Sequence, residues 1–297
     1  VCYSSVYPDV VREIHTDFRL STMEEGGVYL FNPDGILVDS MHLPVMAALN
    51  VAYGRLTDGS DSIGYELQVT KGSTNGGGHG QVLPSPKLST ESWAVDDNSI
   101  IQVRSMKIRR MPDGSPMPEN IVVRYTTDGS EPCDTSAIFD THGLFLEETT
   151  IVKAAMFCDG YITSPTVTKV YIYHGRDIKL PIISLVMDEE DLYSDDYGII
   201  TNNNTNSSRN NWRRPATLDY FGRGGLNSLV HQLTEVRISG AYSREAPLKS
   251  MIIYVNQRFG TEDFIRRSFW PTTRPDATKT KSISIRNSGN YFSNSMC

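Results

Sequence analysis

Arg237-Ile238-Ser239-Gly240, followed by Ser243-Arg244 and by Lys249 at the opening of the next alternating run, has residue types suited to chemistry on a phosphate. A turn of Gly, Ala and Ser lets backbone N–H groups approach an anion, and Arg and Lys supply the neutralising charge. In enzymes that transfer phosphoryl groups, a Lys on a strand holds the nucleotide phosphates. The same pattern also suits a β-hairpin whose Arg and Lys are merely solvated. Spacing alone leaves both readings open.

Other candidates lean structural. Gly222-Arg223-Gly224-Gly225 suggests a phosphate loop but lacks the full Walker pattern with its terminal Lys-Ser/Thr, so a hairpin turn is the better reading. Asp188 is placed to N-cap a short helix through Asp191 and Leu192, with Glu189 and Glu190 in its first turn. A calcium loop built from the same acids would need an alternation and a Gly that are missing. Glycoside hydrolysis needs two carboxylates facing each other across a cleft. Asp128 and Glu131 instead share one turn, where both are expected to cap backbone N–H groups. The six His show no metal-ligand spacing, no Ser-His-Asp or Cys-His arrangement can be argued, and no metal-binding residues are assigned. None of Cys2, Cys133, Cys158 and Cys297 sits in a CxxC pair; Cys133 and Cys158 either bridge or remain two free thiols. The Asn-rich run 202–211 holds two glycosylation sequons, at Asn203 and Asn206.

The elements that must position these residues are strands. Helical periodicity is almost absent, and Asn32-Pro33-Asp34-Gly35, Thr57-Asp58-Gly59-Ser60, Pro112-Asp113-Gly114, Thr127-Asp128-Gly129-Ser130 and Cys158-Asp159-Gly160 punctuate the chain. Asp and Asn tolerate left-handed geometry and Gly supplies positive φ, so these are turns with a mechanism. Alternating runs such as 121–125 and 166–173 lie between them, a rhythm typical of sandwiches. The fold class is therefore mainly β. Linker composition at 71–80 and a change of character near 174–177 divide the chain into 1–78, a linker 79–87, 88–174 and 175–297.

With 297 residues, 39% hydrophobic and 21% charged, there is material for two or three cores. The net charge of -7 argues against a broad nucleic-acid surface. No apolar run approaches the roughly 18 residues that span a bilayer. The first residues carry no signal-peptide pattern, and a signal sequence is taken to have been removed before Val1.

Three resemblances follow. Tyr29-Leu30-Phe31-Asn32-Pro33-Asp34-Gly35-Ile36-Leu37-Val38-Asp39, then 52–60 and 71–75, resemble the later part of a lamin-tail domain. Such domains are small, non-catalytic immunoglobulin-like sandwiches. Leu30, Ile36 and Val38 are expected to point inward; Tyr53 and Arg55 either face a ligand or hold a hairpin through a packed ring and a turn-bonding guanidinium. Val123-Arg124-Tyr125-Thr126-Thr127-Asp128-Gly129-Ser130-Glu131-Pro132, with 149–157 and Asp159-Gly160-Tyr161, resembles the fibronectin-like module at the C-terminus of chitobiase and hexosaminidase enzymes. Its second strand should bury Val152, Ala154 and Met156, and a structural spacer is the default role.

From about residue 178 the chain resembles the opening of a CotH kinase domain, an atypical kinase fold of spore coats and secreted proteins. The resemblance rests on Leu180-Pro181-Ile182-Ile183-Ser184-Leu185, Asp188–Tyr193, Trp212-Arg213-Arg214-Pro215-Ala216, Val236–Arg244, Lys249–Tyr254 and Lys281–Asn290, in family order. It implies two immunoglobulin/fibronectin-like β-sandwiches followed by an α+β, mostly antiparallel, N-terminal part of a kinase lobe. It also implies that Arg244 and Lys249, with Arg237 third, hold the phosphates of ATP. Mg and the catalytic acids would come from a later lobe, downstream of Cys297. Asp219, Glu235 and Asp263 match no metal motif. The whole protein would be a secreted or cell-surface kinase acting on Ser or Thr of envelope or extracellular proteins, and this chain alone would be inactive and bind no cofactor tightly. The alternative is an adhesion protein that binds a protein or polysaccharide partner, with a degenerate lobe. That reading would need an exposed aromatic platform, for which Trp93 and Tyr161 are candidates.

Overall fold

The computed structural model describes residues 2–3, 15–16, 20, 24–45, 51–66, 70, 73–76, 80–95, 100–173, 178–196, 198–201, 212–240, 244, 247–255, 264–269 and 274–287. The chain forms two compact units, Val1–Val82 and Leu83–Cys297. Mainly β structure is found in both, as the turn-rich sequence requires.

In the first unit β1 (Cys2–Tyr3) and β2 (His15–Thr16) pair in parallel. Antiparallel hairpins follow: β3 (Gly26–Phe31) with β4 (Leu37–Leu43), and β5 (Ala52–Arg55) with β6 (Ile63–Glu66). Asn32 shapes the first turn, its side-chain oxygen accepting from the N–H groups of Asp34 and Ile36 at 3.1 and 2.8 Å. Gly35 takes the positive φ of 77° that closes this turn. The expected inward pointing of Leu30, Ile36 and Val38 is overturned. They are 59%, 62% and 61% exposed, because β3 and β4 form a two-stranded ribbon and no described residue covers either face. Arg55 holds its own turn, its guanidinium donating to the Ser60 carbonyl and to the Asp39 carboxylate. The Tyr53 ring packs edge-on against that of Tyr65, the residue directly opposite, at 4.9 Å.

The second unit begins with β7 (Lys87–Leu88), β8 (Trp93–Val95), β9 (Ile101–Val103) and β10 (Ser105–Met106). Next come β11 (Val122–Thr126), β12 (Ala137–Ile138), β13 (Leu144–Leu146), β14 (Thr150–Phe157) and β15 (Val167–Tyr173). The remaining elements are β16 (Ile182–Val186), α1 (Glu189–Tyr193), β17 (Arg214–Phe221), β18 (Leu226–Asn227), β19 (Val230–Ser239), β20 (Ser250–Tyr254) and β21 (Ser282–Ile285). A six-stranded sheet runs in the order β12-β11-β14-β15-β8-β18, and a five-stranded antiparallel sheet in the order β16-β17-β19-β20-β21.

Register decides which side chains meet, because residues directly opposite share a face. One face of the six-stranded sheet, with Val152, Ala154 and Tyr171, packs on Ile101, Val103 and Leu146 of β9 and β13. The other face carries Ala94, Ile172, Thr168 and Lys153. Ala94 and Ile172 meet Phe221, Ile178 and Ile182, so the five-stranded sheet lies against this second face. Its outer face is sealed by a separate core of Leu218, Tyr220, Val236, Ile238, Ile253 and Ile283 with Ile265. β14 is thus covered on both sides. Val152, Ala154 and Met156 are buried as the alternation requires, but so are Lys153 and Ala155.

β18, from the segment after β17, hydrogen-bonds to β8 and places Leu226 opposite Ala94. The turn before it is made by Gly224 and Gly225, with φ of 86° and 71°. A Cβ on Gly225 would sit 2.5 Å from the Ala94 carbonyl oxygen, so only Gly permits this approach. Gly222–Gly225 is therefore a hairpin turn against the neighbouring sheet.

Candidate functional site

The three cations singled out in the sequence meet at one end of the five-stranded sheet. Arg237 lies on β19 opposite Ile252, one alternation away from Glu235, which faces Tyr254. Its Nε donates to the Tyr254 hydroxyl at 2.8 Å. Lys249, just before β20, donates from Nζ to the Arg244 carbonyl at 2.5 Å. Asn287, at the end of β21, fixes the same corner. Its N–H donates to the Ser250 hydroxyl at 3.1 Å, that hydroxyl donates back to the Asn287 side-chain oxygen at 2.9 Å, and its amide nitrogen donates to the Leu248 carbonyl.

Arg244 is the electrostatically strained member. Burial, and then the charge of Arg237, pushes its guanidinium below the usual range. Its Nε is buried without a hydrogen-bond partner. Two guanidiniums held close with an N–H left over form an arrangement that an anion would relieve.

Sequence reasoning missed two members. Arg213 stacks on the Tyr254 ring at 4.0 Å, opposite the cation–π approach of Arg237 at 5.6 Å. Its guanidinium also donates to Glu235 at 3.1 Å, a carboxylate only 1% exposed. The available signal was register: β19 places Glu235 and Arg237 on one face, and the strand opposite supplies an aromatic ring.

The carboxylates considered for other chemistry each have a structural partner. Asp128 does cap its turn, accepting from the Ser130 N–H at 3.0 Å and hydroxyl at 2.6 Å, and these bonds hold its carboxyl below the ordinary value. Glu131 does not. It reaches over the sheet to accept from Lys153 at 2.7 Å and Thr166 at 2.6 Å. Asp188 sits at the N-cap position of α1 with extended backbone, yet its side chain makes no capping bond, because it accepts from Lys153 at 2.7 Å instead. Asp191, in the first turn of α1, pairs with Arg214 at 3.4 Å; burial pushes its carboxyl up against that pull. Asp219 is fully buried 3.0 Å from His231 Nδ1, separate from the Glu235–Arg213 pair. Among the described residues no three His, Cys, Asp or Glu come together to hold a metal ion.

Trp93 and Tyr161 form no exposed platform; each is partly buried and packs against a core of the six-stranded sheet. Cys133 and Cys158 are free thiols. Cys133 is exposed, and hydrogen bonds with the Ser136 and Thr135 hydroxyls lower its thiol to about 7. Ser243, Asp263 and the sequons at Asn203 and Asn206 lie outside the described residues, and no helix among the described residues is long and apolar enough to cross a membrane.

Residues 118–171 match the family model described as Fn3 associated. The match spans β11 to β15 except the last two residues of β15, and makes this stretch fibronectin-III-like, in keeping with its β fold. No curated protein matches the chain, and no solved structure does.

Proposed function

We propose that the segment from about residue 178 is the opening part of a CotH-like atypical kinase lobe, and that Arg237, Arg244 and Lys249 form its phosphate-binding corner. The whole protein, secreted or at the cell surface, would transfer the terminal phosphoryl group of ATP to Ser or Thr of envelope or extracellular proteins. The observation that supports this reading best is Arg244, a cation pressed against Arg237 with its Nε buried and unpartnered. A lone solvated Arg on a hairpin would turn outward to water. Lys249 supports the same corner by tying the Arg244 backbone to the start of β20.

These residues suit the phosphates of a nucleotide. ATP with Mg would supply the transferable phosphoryl group and the metal charge. Arg244 and Arg237 would neutralise phosphate oxygens, and Tyr254, clamped between Arg213 and Arg237, would keep the Arg237 fork from rotating away. No acidic cluster here is assigned to Mg.

Titration with tripolyphosphate and with Mg-ATP, followed by arginine side-chain NMR, tests the reading. Weak binding, with Kd on the order of 1 mM, should shift the Arg244 Nε resonance. Arg244→Ala should weaken it roughly tenfold or more, the ordinary effect of losing a charge-assisted hydrogen bond. A well-folded chain whose arginine resonances ignore both ligands would overturn it.

A further inference from the structure

Lys153 is the unexpected residue of the fibronectin-like sheet. It lies on β14 between Val152 and Ala154, which face the opposite way, and its side chain is only 4% exposed. A lysine so placed needs compensation, because desolvation opposes its charge. It has two carboxylates at 2.7 Å: Glu131, from the turn after β11, and Asp188, at the start of α1 in the following segment. Both partners remain about half exposed, at 53% and 50%. Glu131 is steadied by Thr166, so one end of the bridge belongs to the fibronectin-like sheet. The other end belongs to a helix of five residues, too short to persist alone.

That helix makes few bonds of its own. Leu192 N–H reaches the Asp188 carbonyl at 3.3 Å and Ser194 N–H the Glu190 carbonyl at 3.0 Å. The chain then folds back, with Ile199 and Ile200 donating to the carbonyls of Asp191 and Leu192. This brings Ile199 into the outer core of the five-stranded sheet, with Leu192 packed on it. The placement of α1 therefore decides whether one margin of that core closes. Apolar contacts between the sheets, such as Phe221 on Ala94, tolerate sliding; a buried ammonium between two fixed carboxylates does not.

We propose that Lys153 is a docking pin: the outer face of the fibronectin-like sheet is an intramolecular binding surface for the five-stranded sheet, and Lys153 sets the position of α1 upon it. The module is then a working part of the following fold, not a spacer before it. β18, which crosses over to pair with β8, is the second point of attachment.

Amide hydrogen exchange on the whole chain tests the pin, read separately over 188–200 and over β19 and β20. In Lys153→Met the apolar stem is kept and the charge lost. Exchange at Leu192, Ser194 and Ile199 should accelerate about tenfold or more, with β19 and β20 unchanged. Asp188→Asn alters only a half-exposed surface carboxylate, so it tests the same bond should Lys153→Met fail to fold, and should give the same local acceleration. Exchange over 188–200 at the wild-type rate in Asp188→Asn, or acceleration spread evenly over the whole unit in a folded Lys153→Met, would overturn the proposal.

Discussion

β14 and the β3–β4 hairpin are both short strand structures rich in apolar residues, and they meet opposite fates. Five successive residues of β14, Val152 to Met156, are buried, whereas Tyr29, Leu30 and Phe31 are all more than half exposed. Alternation cannot produce either result, since it sorts side chains between one covered face and one wet face. β14 is the third strand of six and has a layer on each side; the hairpin has two strands and, among the described residues, a layer on neither. Burial in this chain is a property of what lies above a strand. The contrast also explains Lys153. Placed on an uncovered ribbon it would be an ordinary solvated lysine; covered by a second sheet it must be paired.

Removing the cover should therefore have the largest effect. Phe221 is fully buried where the two sheets meet. Phe221→Ala should lower stability by about 3–5 kcal/mol in urea denaturation, the usual cost of such a cavity. A loss under about 1 kcal/mol would mean that the sheets are not packed as one layer on another.

Lys153→Met comes next, at about 2 kcal/mol, less than a fully buried pair because both carboxylates are half exposed. The pH dependence has a definite sign. Burial alone would lower the Lys153 pKa, but the hydrogen bonds to Asp188 and Glu131 prevail and raise it above its ordinary 10.5. A raised folded-state value means the contribution is fully present below pH 10.5 and is lost as pH rises through the folded value. Wild type should keep a constant margin over Lys153→Met through neutral pH and lose it only above 10.5. A margin that disappears on the acid side of neutrality would rule out this account of the lysine.

Local chemistry was legible in the sequence. The Asp128-Gly129-Ser130 turn, the glycine turn before β18 and the inward set Val152, Ala154 and Met156 all follow from short-range rules. Long-range pairing was not. Glu131 and Asp188 lie 22 and 35 positions from Lys153, and each reads locally as a cap. Local logic assigned both carboxylates to nearby backbone N–H groups; a buried ammonium is the stronger claimant once the second sheet arrives. The basic corner was half legible for the same reason. Arg237, Arg244 and Lys249 stand close in the chain, but the ring that holds Arg237 is 17 residues away. Arg213, on the far side of that ring, had no local mark at all.

The smallest effect is expected at the hairpin, where the comparison is sharpest. Leu30→Ser and Ile36→Ser remove apolar surface that already faces water, so no burial is lost on folding. Each should change stability by no more than about 0.5 kcal/mol, the range of ordinary surface substitutions. The same denaturation experiment that reads Phe221→Ala reads these variants, provided the unfolding of Val1–Val82 is followed by its own probe, such as Tyr53 and Tyr65. A loss beyond about 1 kcal/mol at Leu30 would mean that another part of the molecule covers that face. The hairpin would then obey the rule that governs β14, and the difference between the two regions would reduce to which cover each one has.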